Sequence, residues 1–80
     1  MILRLREDSK LKGEELKDFM QQVINDDMEE DDEMEQEDFP EYAIIEEMDA
    51  KGSDITEFEL DGGTIEMLTD NYPEIFVDEE

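Results

Sequence analysis

Between Met1 and Arg6 the chain alternates, with Leu3 and Leu5 on one side and Arg4 and Arg6 on the other. A period of two over so short a stretch predicts a strand with one buried face. Further along, Leu16, Phe19, Met20, Val23 and Ile24 recur at helical spacing. They predict a helix over residues 14–25 with a single apolar stripe. Gly13 followed by Glu14 and Glu15 suits its start, because acids in a first turn complement the exposed N–H groups and the macrodipole. Met28 prolongs the stripe, so helix is expected to about residue 30 and irregular chain from there to Pro40.

After Pro40 the pattern changes. Tyr42 to Met48 is rich in strand-forming residues, and Ile55 to Leu60 alternates with Phe58 and Leu60 inward and Glu57 and Glu59 outward. Asp49 to Asp54 then reads as the loop of a hairpin. Asp61-Gly62-Gly63 is a turn signal, and Thr64 to Leu68 is either a third hairpin strand or a short helix capped by Thr64. Asn71 and Pro73 stop that element. Glu74 to Val77 reads as a closing edge strand.

The order predicts an α+β fold: one main helix packed on a short antiparallel sheet, with an acidic helix extension or loop. The expected core is Leu3, Leu5, Leu16, Phe19, Met20, Val23, Ile24, Tyr42, Ile44, Phe58, Leu60, Ile65, Leu68, Ile75 and Phe76. Residues 1–80 read as a single acidic domain, with an acidic segment at 26–40 inside it and a frayed end at 78–80.

Charge alters this picture more than any other property. The chain of 80 residues has 29 Asp and Glu against 6 Lys and Arg, a formal net charge of −23. Residues 1–17 hold five bases and four acids, whereas residues 18–80 hold 25 acids and the single base Lys51. Ten of the thirteen residues from Asp26 to Asp38 are acidic. Within that run the pairs 26/30, 27/31, 29/33, 31/35 and 33/37 would each set like charges one helical turn apart. At ~0.2–0.5 kcal/mol per pair, continuous helix there would lose about 1–2.5 kcal/mol. This cost is the reason to end the helix near residue 30.

Composition excludes several chemistries. The chain has no Cys and no His, which removes disulfides, thiol nucleophiles, imidazole bases and the usual zinc sites. Its apolar runs are a few residues long, as in Met1-Ile2-Leu3 and Ile75-Phe76-Val77, far short of the ~20 residues of a spanning helix. Neither calcium-loop register fits. Counting from Asp27 puts Asp32 where the sixth-position Gly belongs, and counting from Asp49 puts Lys51 at the third ligand position. No carboxylate pair stands out for acid/base catalysis, and no Gly-rich loop cradles a phosphate. The expectation is a cytoplasmic non-enzyme without cofactor, metal site or catalytic residues.

A surface this anionic is repelled by nucleic-acid phosphates and anionic lipid alike. The expected partner is instead a basic, nucleic-acid-binding protein. Duplex DNA carries one charge per ~1.7 Å of axis, so 23 charges correspond to ~39 Å, while a compact chain of this length spans roughly 30 Å. In size and charge the chain resembles the DNA-mimic inhibitors, small acidic proteins often made by phages. These block uracil-DNA glycosylase, restriction enzymes, recombination nucleases, nucleoid proteins or CRISPR effectors. The resemblance implies an inhibitor that occupies a host protein's basic groove. The alternatives are an acidic adaptor or chaperone that binds a basic protein elsewhere, and a domain whose charge only keeps it soluble.

From the residues themselves, Asp26, Asp27, Glu29, Glu30, Asp31, Asp32, Glu33, Glu35, Glu37 and Asp38 are the expected main contact. Glu46, Glu47, Glu57 and Glu59, read as strand acids, supply a second row. Phe39, Tyr42 and Tyr72, beside acids and prolines, are either anchors for a basic partner or rings closing over the sheet edge.

Overall fold

The structure is a computed structural model that describes residues 1–31 and 33–79. Along the chain it forms β1 (Ile2–Leu5), α1 (Glu14–Glu30), a 3-10 turn (Gln36–Asp38), α2 (Pro40–Lys51), β2 (Glu57–Glu59), α3 (Gly62–Asn71) and β3 (Phe76–Glu79). Three helices pack on a three-stranded antiparallel sheet, an α+β fold. The strand order is β2-β1-β3, so the first strand of the chain is the central one.

Alternation places the sheet residues as the sequence predicts. Leu3 pairs with Phe58 and Leu5 with Phe76, and all four are buried. Arg4, Glu57 and Val77 are paired across the strands and exposed. The helical stripe holds as well: Leu16, Met20 and Ile24 are fully buried, with Phe19 half-buried beside them. Phe19, Tyr72, Phe76 and Phe58 form a chain of edge-to-face rings with centroids 6.0, 6.3 and 6.1 Å apart. That chain ties α1 to the end of α3 and to both outer strands.

Four expectations need correction. Tyr42 to Met48 is helix, not strand. Pro40 occupies the first turn of α2, where its fixed φ suits a helix and its missing N–H is not needed. Glu41, Ile44, Ile45 and Met48 then fall together at helical spacing and are all buried. The core therefore includes Ile45 and Met48, while Tyr42, Leu60 and Ile75 only pack against it half-buried. Asp49 to Asp54 is consequently the end of α2 and a turn rather than a hairpin loop. Gly52 closes the helix with φ of +111° and its N–H bonded to the Met48 carbonyl at 2.8 Å, a backbone that side-chain-bearing residues rarely adopt.

Thr64 to Leu68 belongs to a helix, α3, and its cap is Asp61 rather than Thr64. The Asp61 carboxylate accepts the Thr64 N–H at 3.1 Å, and Thr64, through its side chain first and its backbone N–H second, holds the carboxyl below its ordinary pKa. Finally, β3 runs to Glu79, so Asp78 is paired with Leu3 rather than frayed. Glu80 lies outside the described residues.

Candidate functional site

Two pairs of residues mark the direction of α2 against α1. Lys17 near the start of α1 pairs with Asp49 near the end of α2. Asp27 near the end of α1 acts electrostatically on Glu41 at the start of α2. The two helices are thus antiparallel, and the acidic connector, residues 31–39, joins them at one end.

α1 ends where like-charge pairs would start to accumulate. Asp31 leaves the helix in an extended conformation with its N–H still bonded to the Asp27 carbonyl at 3.2 Å. Asp26 and Glu30 remain inside the helix, with no basic residue in the last turn. Carboxylates gathered there oppose the helix dipole. The connector then folds on its own acids. The Asp31 carboxylate accepts the Glu33 N–H at 3.1 Å, and the Asp38 carboxylate accepts the Glu35 N–H at 3.3 Å. Glu35 and Asp38 together make a reciprocal capping box around the 3-10 turn.

The structure therefore sorts the predicted contact residues by role. Asp31, Glu35 and Asp38 shape the connector through their own backbone contacts, and Asp26 accepts the Gln22 amide at 3.1 Å. Asp27, Glu29, Glu30, Glu33 and Glu37 are exposed on the same end of the molecule. Asp32 lies outside the described residues.

The second row is a separate feature, and not an array of strand acids. Glu46 and Glu47 stand on α2, and only Glu57 and Glu59 are on a strand. Glu47 lies seven residues beyond Pro40, roughly 10 Å along the helix axis and away from the connector. Its carboxylate accepts the Glu59 N–H at 2.9 Å and the Lys51 ammonium at 3.2 Å. Glu46, Glu57 and Glu59 are exposed around it. Phe39, Tyr42 and Tyr72 are half-buried against the core, so the rings serve packing first.

One acid missed by the sequence reading has the least ordinary environment. Glu41 is 4% exposed, although charged residues are almost never fully buried without a partner. The Tyr72 hydroxyl and Asp27 lie close enough to act on its carboxylate electrostatically. Burial, with Asp27 nearby, raises the Glu41 pKa; burial and then the Glu41 charge push the Tyr72 hydroxyl up to about 12. The signal available in the sequence was the spacing of Glu41 to Ile44 and Met48, which sets it on the apolar side of a helix.

Among the described residues no group of three or more metal-ligating side chains could hold an ion, and no helix is long and apolar enough to cross a membrane. Comparison with family models, curated proteins and solved structures returns no match in any of the three.

Proposed function

We propose that this protein is a nucleic-acid decoy, a DNA-mimic inhibitor that occupies the basic groove of a DNA-binding or DNA-processing protein. The observation that carries this reading is charge per length. The molecule measures 34 Å along its longest axis and bears a formal −23. The same length of duplex, at one charge per ~1.7 Å, bears roughly 20. A groove lined with Arg and Lys to grip phosphates meets a similar density of carboxylates, which accept the same charge-assisted hydrogen bonds. The same long-range field steers the encounter.

The fold supports the reading by holding the charge in a fixed place. The antiparallel pair α1 and α2 presents Glu29, Glu30, Glu33 and Glu37 from one end, with Asp31, Glu35 and Asp38 bracing the segment from within. A phage protein acting on a host enzyme in the cytoplasm is the setting that fits such an inhibitor.

Salt-eluted affinity capture from lysate identifies the partner, and competition then tests the mechanism. A decoy is displaced from its purified partner by duplex DNA, and its binding weakens with salt as protein–DNA binding does. Changing Glu29, Glu30, Glu33 and Glu37 together to Gln, in a variant shown to be folded, is expected to reduce affinity steeply. Binding that duplex DNA, single-stranded DNA and RNA all fail to displace would instead identify an adaptor or chaperone that engages its partner elsewhere.

A further inference from the structure

The two outer strands of the sheet present unequal edges. Along β1 the hydrogen-bonded pairs alternate sides. Leu5 donates to the Thr56 carbonyl at 2.7 Å on the β2 side, and Arg6 to the Ile75 carbonyl at 2.8 Å on the β3 side. By the register, Glu57 and Glu59 turn their backbone groups outward from β2, while Phe76 and Asp78 turn theirs outward from β3. The β2 edge is partly occupied, because the Glu47 carboxylate takes the Glu59 N–H at 2.9 Å. On β3 the Phe76 N–H turns back to the Tyr72 carbonyl at 3.1 Å. The Phe76 carbonyl and both backbone groups of Asp78 point outward, and among the described residues no strand or side chain is bonded to them.

We propose that the outer edge of β3 docks an extended, Lys- or Arg-bearing segment of a partner protein, which joins the sheet as a further strand. An open strand edge is a template for pairing, and the charge around this one selects the occupant. Glu66 and Asp70 on α3, which packs against β3, are exposed, as are Glu74 in the turn and Asp78 on the strand. Residues 52–79 contain no Lys or Arg. A second copy of the chain would set like carboxylates against each other across the new seam. A basic segment meets them with opposite charge.

Alternation fixes the pattern of the occupant. A residue bonded to both backbone groups of Asp78 has its side chain on the same face as the Asp78 carboxylate, so Lys or Arg belongs there. Its neighbours fall on the face of Val77, which is 44% exposed, and an apolar residue suits that face. The strand that fits therefore alternates basic and apolar residues. This edge uses none of the acids assigned to the decoy surface, so its test is independent of competition by DNA.

The probe is a short synthetic peptide of alternating Lys and Val with blocked ends, added to the full chain and followed by NMR and calorimetry. Binding is expected to slow hydrogen exchange of the Asp78 amide and to shift β3 signals most. The peptide N-methylated on its Lys amides keeps its charge but loses the donors that face β3, and is expected to lose binding. The peptide methylated on its Val amides, which face away, is expected to keep it. Asp78→Pro removes an outward N–H that the β1–β3 ladder does not use, and is expected to weaken binding about tenfold. Asp78→Asn retains that N–H and is expected to lose less. Equal binding of the two methylated peptides to the wild-type chain would overturn the proposal, whether or not Asp78→Pro folds. Equal losses in the two folded Asp78 variants would also overturn it, as would shifts confined to residues 26–38. A wild-type chain that dimerises through β3 in sedimentation would overturn the choice of occupant.

Discussion

The carboxylate of Glu47 accepts the backbone N–H of Glu59 at 2.9 Å, joining an acid on α2 to the outer edge of β2. An exposed strand edge is a template for unwanted pairing, and here a side chain from the neighbouring helix takes the donor. Lys51, one turn further along α2, balances the charge at 3.2 Å. Glu47→Ala is expected to lower stability by about 1 kcal/mol, the usual net value of such a bond. Glu47→Gln keeps an acceptor and is expected to lose less. Urea unfolding midpoints of the two variants measure the difference.

The two phenylalanines at the ends of the ring chain should not be equivalent. Phe58 is wholly buried between β1 and the helices, whereas Phe19 is half-buried against Tyr72. Phe58→Ala is expected to cost ~3–5 kcal/mol, a large share of what a small domain has. Phe19→Ala is expected to cost clearly less and to leave a folded protein. Circular dichroism melts of both variants, side by side, check the order.

A folded chain with this much like charge should gain stability from counter-ions. The unfolded chain spreads its charges apart, whereas the native state holds −23 within a radius of gyration of 11.9 Å. The melting midpoint is expected to be higher at ~300 mM than at ~10 mM salt, since the Debye length falls below the dimensions of the domain. An unchanged or lower midpoint would contradict this.

The end of α1 is where stability and the proposed function oppose one another. Glu30→Lys puts a cation in the last turn and turns the Asp26/Glu30 repulsion into an attraction. The expected gain is ~0.5–1 kcal/mol. The same change is expected to weaken binding to a basic partner, so the more stable protein should be the poorer inhibitor. Paired melts and affinity measurements test both halves.

Much of the fold was legible because its periods were clean. Leu3 and Leu5 mark β1, and Leu16, Met20 and Ile24 mark α1 without competition from neighbours. The segment after Pro40 reads as strand because Tyr42, Ile44 and Ile45 favour strands locally, while their burial is settled by α1, α3 and β2 closing around them. Pro40 followed by apolar residues at 44, 45 and 48 was the stronger signal. The choice between strand and helix at Thr64 turned on Asp61, whose side chain supplies the cap. As for the site, the run of acids is plain in the sequence, yet composition does not say which acids turn inward to the backbone. It is equally silent on Glu41, whose burial follows from its place beside Ile44 and Met48 on the inner face of α2.

The strand order has a consequence for how the protein is made. β1 is made before both of the strands that flank it, Glu57–Glu59 and Phe76–Glu79. Leu3 and Leu5 stay without their sheet partners Phe58 and Phe76 until β2 and β3 have been made in turn. The α1–α2 pair consists of sequence neighbours and can form earlier, so the sheet is completed onto helices already in place. Closing such distant pairs slows folding relative to a helical bundle of equal size. Synthesis that stops before Phe76 leaves the central strand with an open flank, free to pair with a strand of another chain.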